Sequence, residues 1–336
     1  MGGHGHAVRP ELEEIAVPAR EALVREIAAS GAFDEDPVWR EVFAAVPRHL
    51  FVPSYYVGTA GGYERRSCDD PDPRAREQWL RGAYQDTPLG LVLRDGELLS
   101  SSSQPSLMAL MLAALGVRDG DRVLEIGTGS GYNAALLAHR LGDHDLVTTI
   151  DLDPEITGPA RRNLAAAGYH PAVVTGDGAR GVPDRAPFDR IIATCALPSI
   201  PPAWLAQTRP GGRILAPCAT GVVALTVHDA GRAEGRFLHT PAYFVPLRGA
   251  TRSRPEPPDP TGLPEEAARH ESFRFLLALT AASGLDPREA YEVWERAERP
   301  PRERYGLTVD GDGTRAWLDD PDGPHVWPLA PAGQTA

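Results

Sequence analysis

The sequence predicts an α/β fold built on a mostly parallel sheet that becomes antiparallel at one edge. After Asp121, short runs rich in β-branched residues alternate with helical segments, which is typical of repeated βαβ units. Residues 222–229 and 235–247 are two further strand-like runs joined by a short polar segment, which predicts an antiparallel pair. The chain has 336 residues, of which 42% are hydrophobic, enough for about two domains with a sizeable core.

The N-terminal part is predicted to be helical. Apolar residues recur at helical spacing from Leu12 to Ser30 and again after Pro37, so we expect two amphipathic helices. Pro18 interrupts the first run and is suited to the first turn of a helix. The segment from Gly58 to Arg81 is charged and aperiodic, and we expect it to form a surface insertion.

Four strands and two intervening helices are predicted in the central region. Gly158 and Pro159 interrupt the second helix, so we expect a kink or a late start there. The predicted strands are residues 121–127, 146–153, 171–178 and 188–196, and the predicted helices are residues 131–142 and 154–168.

A proline-rich segment separates the C-terminal part of the chain. Arg252 to Glu266 contains five prolines, which favours an extended and poorly packed linker. Beyond it we expect an apolar helix and a hairpin around residues 310–313, with Trp317 and Trp327 available for packing. The predicted domains are an N-terminal helical region with the insertion (1–80), a main domain (81–250), the linker (251–266) and a small α+β extension (267–336).

Composition excludes several classes of function. The net charge of −12 disfavours nucleic-acid and anionic-membrane partners. Three cysteines form no disulfide framework, and we find neither a signal peptide nor a run of about 20 apolar residues, so we predict a cytoplasmic protein. His4 and His6 lie on a glycine-rich terminus, and we predict no metal site.

The most specific motif is E-I-G-T-G-S-G at residues 125–131, where a predicted strand meets a predicted helix. Glycine allows a tight turn and lets the backbone approach a ligand closely. A dinucleotide fingerprint would need glycine at position 132, where this chain has Tyr132. The motif instead resembles motif I of class I S-adenosylmethionine (SAM) methyltransferases, which implies their Rossmann-like sheet and SAM as cofactor.

Acidic residues follow the predicted strands where such a cofactor would need them. Asp151 is placed to accept hydrogen bonds from ribose hydroxyls, Asp177 to accept one from the adenine amino group, and Glu125 to face the cationic methionine end. Each of these acidic residues, considered alone, could also be an ordinary loop residue with no role in cofactor binding. The predicted cofactor-binding residues are Glu125, Gly127, Thr128, Gly129, Gly131, Asp151, Leu152, Asp177 and Gly178.

Five further motifs share a family pattern: VPRHLFVP (46–53), AYQDTPLG (83–90), SSSQP (101–105), GDGARG (176–181) and PFDRII (187–192). Through them, residues 46–247 resemble protein-L-isoaspartate O-methyltransferases. The resemblance implies that Ser103 lies beside the reacting carboxylate, and Ser101, Ser102 and Ser103 are the predicted catalytic residues. The family usually has Thr-Ile where this chain has Ser101-Ser102. The alternative is that the serines cap a helix that begins near Pro105.

The chemistry implied is methyl transfer to a carboxylate, which is already ionised at neutral pH and needs no general base. The spacing of histidines and aspartates around the serines does not match that of a serine hydrolase triad.

The insertion and the tail look like those of an extended branch of the family, which matures lanthipeptides and ATP-grasp peptides by aspartimide formation. We therefore predict a peptide partner with a reactive Asp or isoAsp, here a macrocyclic precursor. General isoaspartyl repair and a catalytically silent SAM-binding module are the alternatives. The tail could recognise the ring or could cover a sheet edge.

Overall fold

The computed structural model describes residues 10–249 and 256–329. They form two compact units that divide after Gly176, within the predicted main domain of residues 81–250. The predicted domain boundaries therefore stay predictions. His4, His6 and residues 250–255, which include the start of the proline-rich segment, lie outside the described residues. Among the helices that are described, none combines the length and apolar character needed to cross a membrane.

The first unit begins with the two predicted helices, α1 (Pro10–Ala29) and α2 (Val38–Ala45). Pro18 lies inside α1, so it does not mark the first turn. The buried face of α2 packs through aromatic rings, with Phe43 in edge contact with Phe33 at 5.6 Å between centroids. A short 3-10 helix, Arg48–Phe51, follows.

A small antiparallel sheet occupies the next part of the first unit. Its strands are β1 (Ser54–Thr59), β2 (Gly62–Ser67), β3 (Leu89–Arg94) and β4 (Glu97–Ser102), in the order β2-β1-β3-β4.

Helix α3 (Pro73–Ala83) lies between β2 and β3. Asp72 accepts a hydrogen bond from the backbone N–H of Arg74 and so caps its N-terminus. Residues 58–81 therefore contain strand β2 and most of helix α3 and are not irregular as expected, while their being a surface insertion stays a prediction. Buried Trp79 anchors the helix by donating from Nε1 to the Val52 carbonyl at 2.8 Å.

Parallel strands complete the first unit. Helix α4 (Pro105–Leu115) precedes β5 (Val123–Ile126), α5 (Tyr132–Leu141), β6 (Val147–Asp151), α6 (Pro154–Ala166) and β7 (Ala172–Thr175). Strand β6 pairs in parallel with β5 and with β7, as predicted. Helix α6 begins at Pro154 with Asp153 as its cap and contains Pro159, so the late start does not occur.

The second unit combines a parallel and an antiparallel part. Its first elements are β8 (Phe188–Ala193), α7 (Pro202–Ala206), β9 (Thr208–Cys218), β10 (Gly221–Asp229) and β11 (Arg232–Phe237). Strands β8 and β9 are parallel, whereas β9, β10 and β11 pair antiparallel. An antiparallel pair is therefore confirmed, but its second strand is Arg232–Phe237, whereas the predicted residues 235–247 lie mostly outside any strand.

The C-terminal extension adds three helices and three strands, α8 (Glu265–Arg269), α9 (Glu271–Leu279), α10 (Pro287–Arg296), β12 (Tyr305–Asp310), β13 (Gly313–Leu318) and β14 (Val326–Pro328). The predicted hairpin is β12–β13. Strand β12 pairs with β11, with Leu307 opposite Gly235, so the extension covers a sheet edge. The α/β class with parallel and antiparallel strands is confirmed, and the antiparallel part is larger than predicted because the tail joins it.

Candidate functional site

The glycine motif forms the turn between β5 and α5. Gly127, Gly129 and Gly131 have φ values of 98°, 51° and 86°, a region that residues with a side chain rarely adopt. A Cβ atom on Gly131 would lie 3.0 Å from Leu164 Cγ, so this position has neither the conformation nor the space for a larger residue. The turn is tied to the neighbouring strand because Gly127 N–H donates to the Ile150 carbonyl at 2.8 Å.

Glu125 is buried below this turn and its carboxylate is held by two side chains. Thr149 Oγ1 donates to Oε2 at 2.6 Å, and Asn133 Nδ2 donates to Oε1 at 2.8 Å. The Thr128 and Thr149 hydroxyls are 2.8 Å apart, which extends the network into the glycine turn. Burial raises the pKa of Glu125 to about 7, against the opposing effect of these hydrogen bonds. The geometry shows Glu125 supporting the turn, and its contact with a methionine end stays a prediction.

Asp151 and Leu152 lie at the carboxyl end of β6, beside the same turn. Gly129 N–H points to Asp151 Oδ2 at 3.4 Å. The neighbouring Leu152 side chain is unusual because it is apolar and 39% exposed. A carboxylate next to an exposed apolar side chain offers hydrogen-bond acceptors for hydroxyl groups and a surface for a planar ring, the combination that a nucleoside requires.

Asp177 and Gly178 begin the second unit. Asp177 Oδ1 accepts a hydrogen bond from Ala179 N–H at 2.9 Å, which caps the short 3-10 helix Gly178–Arg180. Gly178 is buried and its carbonyl accepts from Trp204 Nε1 at 2.9 Å. The described contacts therefore assign both residues a local structural role, and their predicted contact with adenine stays a prediction.

The three predicted catalytic serines lie where β4 ends, and we refer to residues 101–103 as the serine turn. Ser102 is buried, whereas Ser101 and Ser103 are partly exposed. The carbonyl oxygen of Ser101 lies 3.4 Å from the position that a Cβ would take on Gly129. The structure thus brings the serine turn close to the glycine turn, with no room for a larger side chain between them, although more than twenty residues separate the two in the sequence.

Helix α4 begins at Pro105 as predicted, but the serines do not cap it. Gln104 is the cap residue and makes no capping hydrogen bond with its side chain. Asp86 caps the helix instead. Its carboxylate accepts hydrogen bonds from Ser106 N–H at 2.8 Å and from Gln104 Nε2 at 3.0 Å. A carboxylate satisfies the first turn well because it also complements the positive end of the helix dipole. The capping alternative for the serines is therefore wrong.

Arg48 is a site residue that the sequence analysis did not identify. Its side chain is fully buried, and its guanidinium donates to backbone carbonyls, including those of Ser102 and Ser103. Burial lowers its pKa to about 10. Its place in the first family motif, V-P-R-H-L-F-V-P, was the available signal, because a charged residue in a largely apolar segment can indicate a buried charge.

Comparison with known proteins places these features in a family. The family described as "Protein-L-isoaspartate(D-aspartate) O-methyltransferase (PCMT)" matches residues 74–251. A protein-L-isoaspartate O-methyltransferase 1 from Anaeromyxobacter sp. (strain Fw109-5) is 39% identical over 68% of this chain and 95% of its own length. Another from Archaeoglobus fulgidus is 35% identical over 69% of this chain and 96% of its own.

Solved structures share the fold. A protein-L-isoaspartate O-methyltransferase superimposes with a TM-score of 0.61 at 24% identity, covering 90% of this chain and all of the other. The structure of a Plasmodium falciparum protein of this kind, solved with S-adenosyl-L-homocysteine, superimposes with a TM-score of 0.51 at 15% identity. The match covers 68% of this chain and 98% of the other. The first match extends into residues 267–336, since only a tenth of the chain is unmatched. The chain therefore belongs to the protein-L-isoaspartate(D-aspartate) O-methyltransferase family of SAM-dependent enzymes.

Proposed function

We propose that this chain methylates the free carboxylate of isoaspartyl residues in peptides or proteins, with SAM as the methyl donor. The observation that supports this most directly is the close approach of the serine turn to the glycine turn, since the Ser101 carbonyl oxygen lies 3.4 Å from the place that a Cβ atom would take on Gly129. A carboxylate held at Ser103 would therefore be close to a donor held at the glycine turn. The names of the relatives agree with this substrate class.

The residues at the glycine turn fit SAM. Absence of side chains at Gly127, Gly129 and Gly131 leaves space for close approach of a ligand to the backbone. Asp151 would accept the ribose hydroxyls, and Leu152 would contact the adenine ring. Thr128 and Glu125 support the turn, and Asp177 with Gly178 is proposed for the adenine end. When bound, SAM supplies a methyl group on a positively charged sulfur.

The protein contributes alignment and exclusion of water. A carboxylic acid has a pKa near 4, so the nucleophilic oxygen is already ionised and no proton needs to be removed. Ser103 is partly exposed and would donate its hydroxyl hydrogen to one carboxylate oxygen, leaving the other oxygen to attack the methyl carbon. Ser102 is less available for this role because it is buried, and its hydroxyl oxygen accepts from Arg48 Nη2 at 3.5 Å. Ser101 would contribute through the position of its carbonyl beside the glycine turn.

The ester product reacts further without the enzyme. The backbone nitrogen of the next residue attacks the ester carbonyl, loses its proton, and expels methoxide, which leaves as methanol after protonation. The product is a succinimide, and its hydrolysis opens the ring to aspartate or isoaspartate. Repeated methylation of isoaspartate therefore moves the substrate toward aspartate.

The test is Ser103→Ala, with Ser100→Ala on strand β4, which ends just before Ser103, as the control. We expect kcat/KM for a short L-isoaspartyl peptide to fall about 10- to 100-fold, because a hydrogen bond to a charged group contributes about 1.5–3 kcal/mol. The dissociation constant for SAM, measured by calorimetry, should change less than about twofold. A wild-type rate in the Ser103 variant would contradict the assignment. Wild-type protein that binds SAM but methylates no carboxylate would favour the silent binding module instead.

A narrower function is a second candidate, in which the substrate is an ordinary aspartate in a macrocyclic precursor peptide and methylation leads to aspartimide. The observation that favours it is the small sheet of the first unit, in which hairpin β1–β2 and the serine turn belong to one layer. Tyr63 on β2 is 46% exposed and could contact a peptide ring. Resemblance to the branch that matures lanthipeptides and ATP-grasp peptides stays a prediction, as does the cytoplasmic location.

Three substrates separate the two candidates: a linear isoaspartyl peptide, the same peptide with aspartate, and a macrocycle that contains aspartate. General repair predicts methylation of the first alone. The narrower function predicts methylation of the macrocycle, and Tyr63→Ala should then raise the KM for the macrocycle without affecting the linear isoaspartyl peptide. If the macrocycle is not methylated under conditions where the isoaspartyl peptide is, the narrower function is wrong.

A further inference from the structure

We propose that Arg48 is a positioning residue for the substrate carboxylate, acting through the two peptide groups that flank Ser103. The inference rests on the proposed function, because it takes Ser103 as the residue beside the carboxylate. Arg48 itself is fully buried, so it acts on the substrate only through the backbone that it holds.

The guanidinium of Arg48 binds two segments, residues 83–87 and residues 102–103, that are distant from it and from each other in the sequence. Nη1 donates to the carbonyls of Ala83 and Gln85 at 3.2 and 3.0 Å, and Nη2 donates to that of Thr87 at 3.1 Å. Nη2 also donates to the carbonyls of Ser103 at 3.1 Å and Ser102 at 3.4 Å. One side chain therefore fixes the loop that precedes β3 and the serine turn that follows β4.

These contacts determine the conformation of Ser103. A peptide group is planar and trans, so its carbonyl and its N–H point in opposite directions. Because the carbonyls of Ser102 and Ser103 face Arg48, the N–H groups of Ser103 and Gln104 face away from it. The two peptide planes meet at the Ser103 Cα. When both planes are fixed, the φ and ψ angles of Ser103 are fixed, and so is the direction of its Cα–Cβ bond. The hydroxyl is thereby carried on a backbone with one orientation.

Asp86 holds the residues that directly follow Ser103. Its carboxylate accepts Ser106 N–H at 2.8 Å and Gln104 Nε2 at 3.0 Å, so the segment directly after the serine turn is also held. The loop that contains Asp86 is the loop whose carbonyls Arg48 binds. Arg48 and Asp86 thus place the serine turn between two fixed points.

The chemistry of arginine suits this role better than that of lysine. Guanidinium is planar and offers five N–H donors in fixed directions, whereas the ammonium of lysine is a point charge with three donors on a flexible chain. Burying a charge costs free energy, and an apolar side chain of similar volume often stabilises a fold as well or better. A fully buried arginine bound to backbone carbonyls is therefore explained by the geometry that it imposes.

The experiment compares Arg48→Lys and Arg48→Met with the wild type. Kinetics with a short L-isoaspartyl peptide gives KM and kcat, and calorimetry gives the dissociation constant of SAM. We expect Arg48→Lys to raise the peptide KM about tenfold, with kcat and the SAM dissociation constant each within about threefold of wild type. Arg48→Met should raise the peptide KM further.

Arg302→Lys is the matched control. Arg302 is 3% exposed, lies in the second unit, and contacts Glu271 and the ring of Phe275. This variant should lower the melting temperature without changing the peptide KM. A lysine variant of Arg48 that folds with an unchanged peptide KM overturns the inference. Equal losses of peptide and SAM binding, or failure of both Arg48 variants to fold, would show a purely structural role and overturn it too. Failure of the proposed function would look different, since the wild type would then not methylate the peptide.

Discussion

Replacing Glu125 by glutamine should change how the stability of the protein depends on pH. The carboxylate is 1% exposed and lies against Thr149 and Asn133, and burial raises its pKa from 4.5 to about 7. Glutamine has nearly the same shape and can keep a hydrogen bond to each neighbour. It removes only the ability to lose a proton.

The sign and size follow from proton binding. An acid with a raised pKa in the folded state keeps its proton on folding between pH 4.5 and about 7, whereas the unfolded chain loses it. The free energy of unfolding of the wild type therefore decreases as pH rises through this window, and the decrease is complete above about pH 7. A change of this size corresponds to about 2 kcal/mol between pH 5 and pH 8.

Urea unfolding at pH 5 and pH 8 measures this difference. Glu125→Gln should gain about 2 kcal/mol relative to the wild type on going from pH 5 to pH 8. Glu125→Ala also lacks the proton, so it should show the same relative gain, but with lower stability at both pH values because it leaves a cavity. If the wild type and both variants show parallel pH dependence, the raised pKa of Glu125 is refuted.

Three further substitutions have defined outcomes. Asp151→Asn should weaken SAM binding about tenfold by calorimetry with little change in melting temperature, because an amide keeps one of the two acceptors; unchanged affinity would exclude the ribose contact. Gly131→Ala should lower the unfolding free energy by about 1–3 kcal/mol, since its φ of 86° and the 3.0 Å approach to Leu164 both oppose a side chain; wild-type stability would contradict this. Trp79→Phe should cost about 1–3 kcal/mol by leaving the buried Val52 carbonyl without its donor, while kcat stays the same.

The parallel strands and the glycine turn could be predicted because their signals lie in side chains at short range. Strands β5 and β6 are buried almost throughout, and β6 is rich in β-branched residues, which favour strands. Glycines at 127, 129 and 131 are required by backbone conformation, and their spacing survives in the sequence as a motif. The extent of the antiparallel part was not predictable, because the residues of β11 and β12 contain no pattern that indicates that the two strands pair.

The missed elements have weak or distributed signals. Strand β2 is exposed over most of its length, so its sequence lacks the alternation that marks a half-buried strand. Helix α3 buries a narrow face that includes Trp79 and Leu80, and its other residues are mainly charged. The hydrogen-bond partners of Arg48 are mostly main-chain carbonyls, which carry no side-chain signature. The cap at Asp86 joins two segments that only the folded chain brings together.

Pairing of β12 with β11 has a consequence for how the C-terminal extension can be studied. Within the described residues, β14 is the last strand on its side of the sheet, and it has three residues and ends in Pro328, features that discourage another chain from adding a strand. Truncation before Tyr305 would instead uncover the backbone of β11 and create a site for self-association and aggregation. Point substitutions on exposed positions are therefore the sound way to ask what the extension contributes.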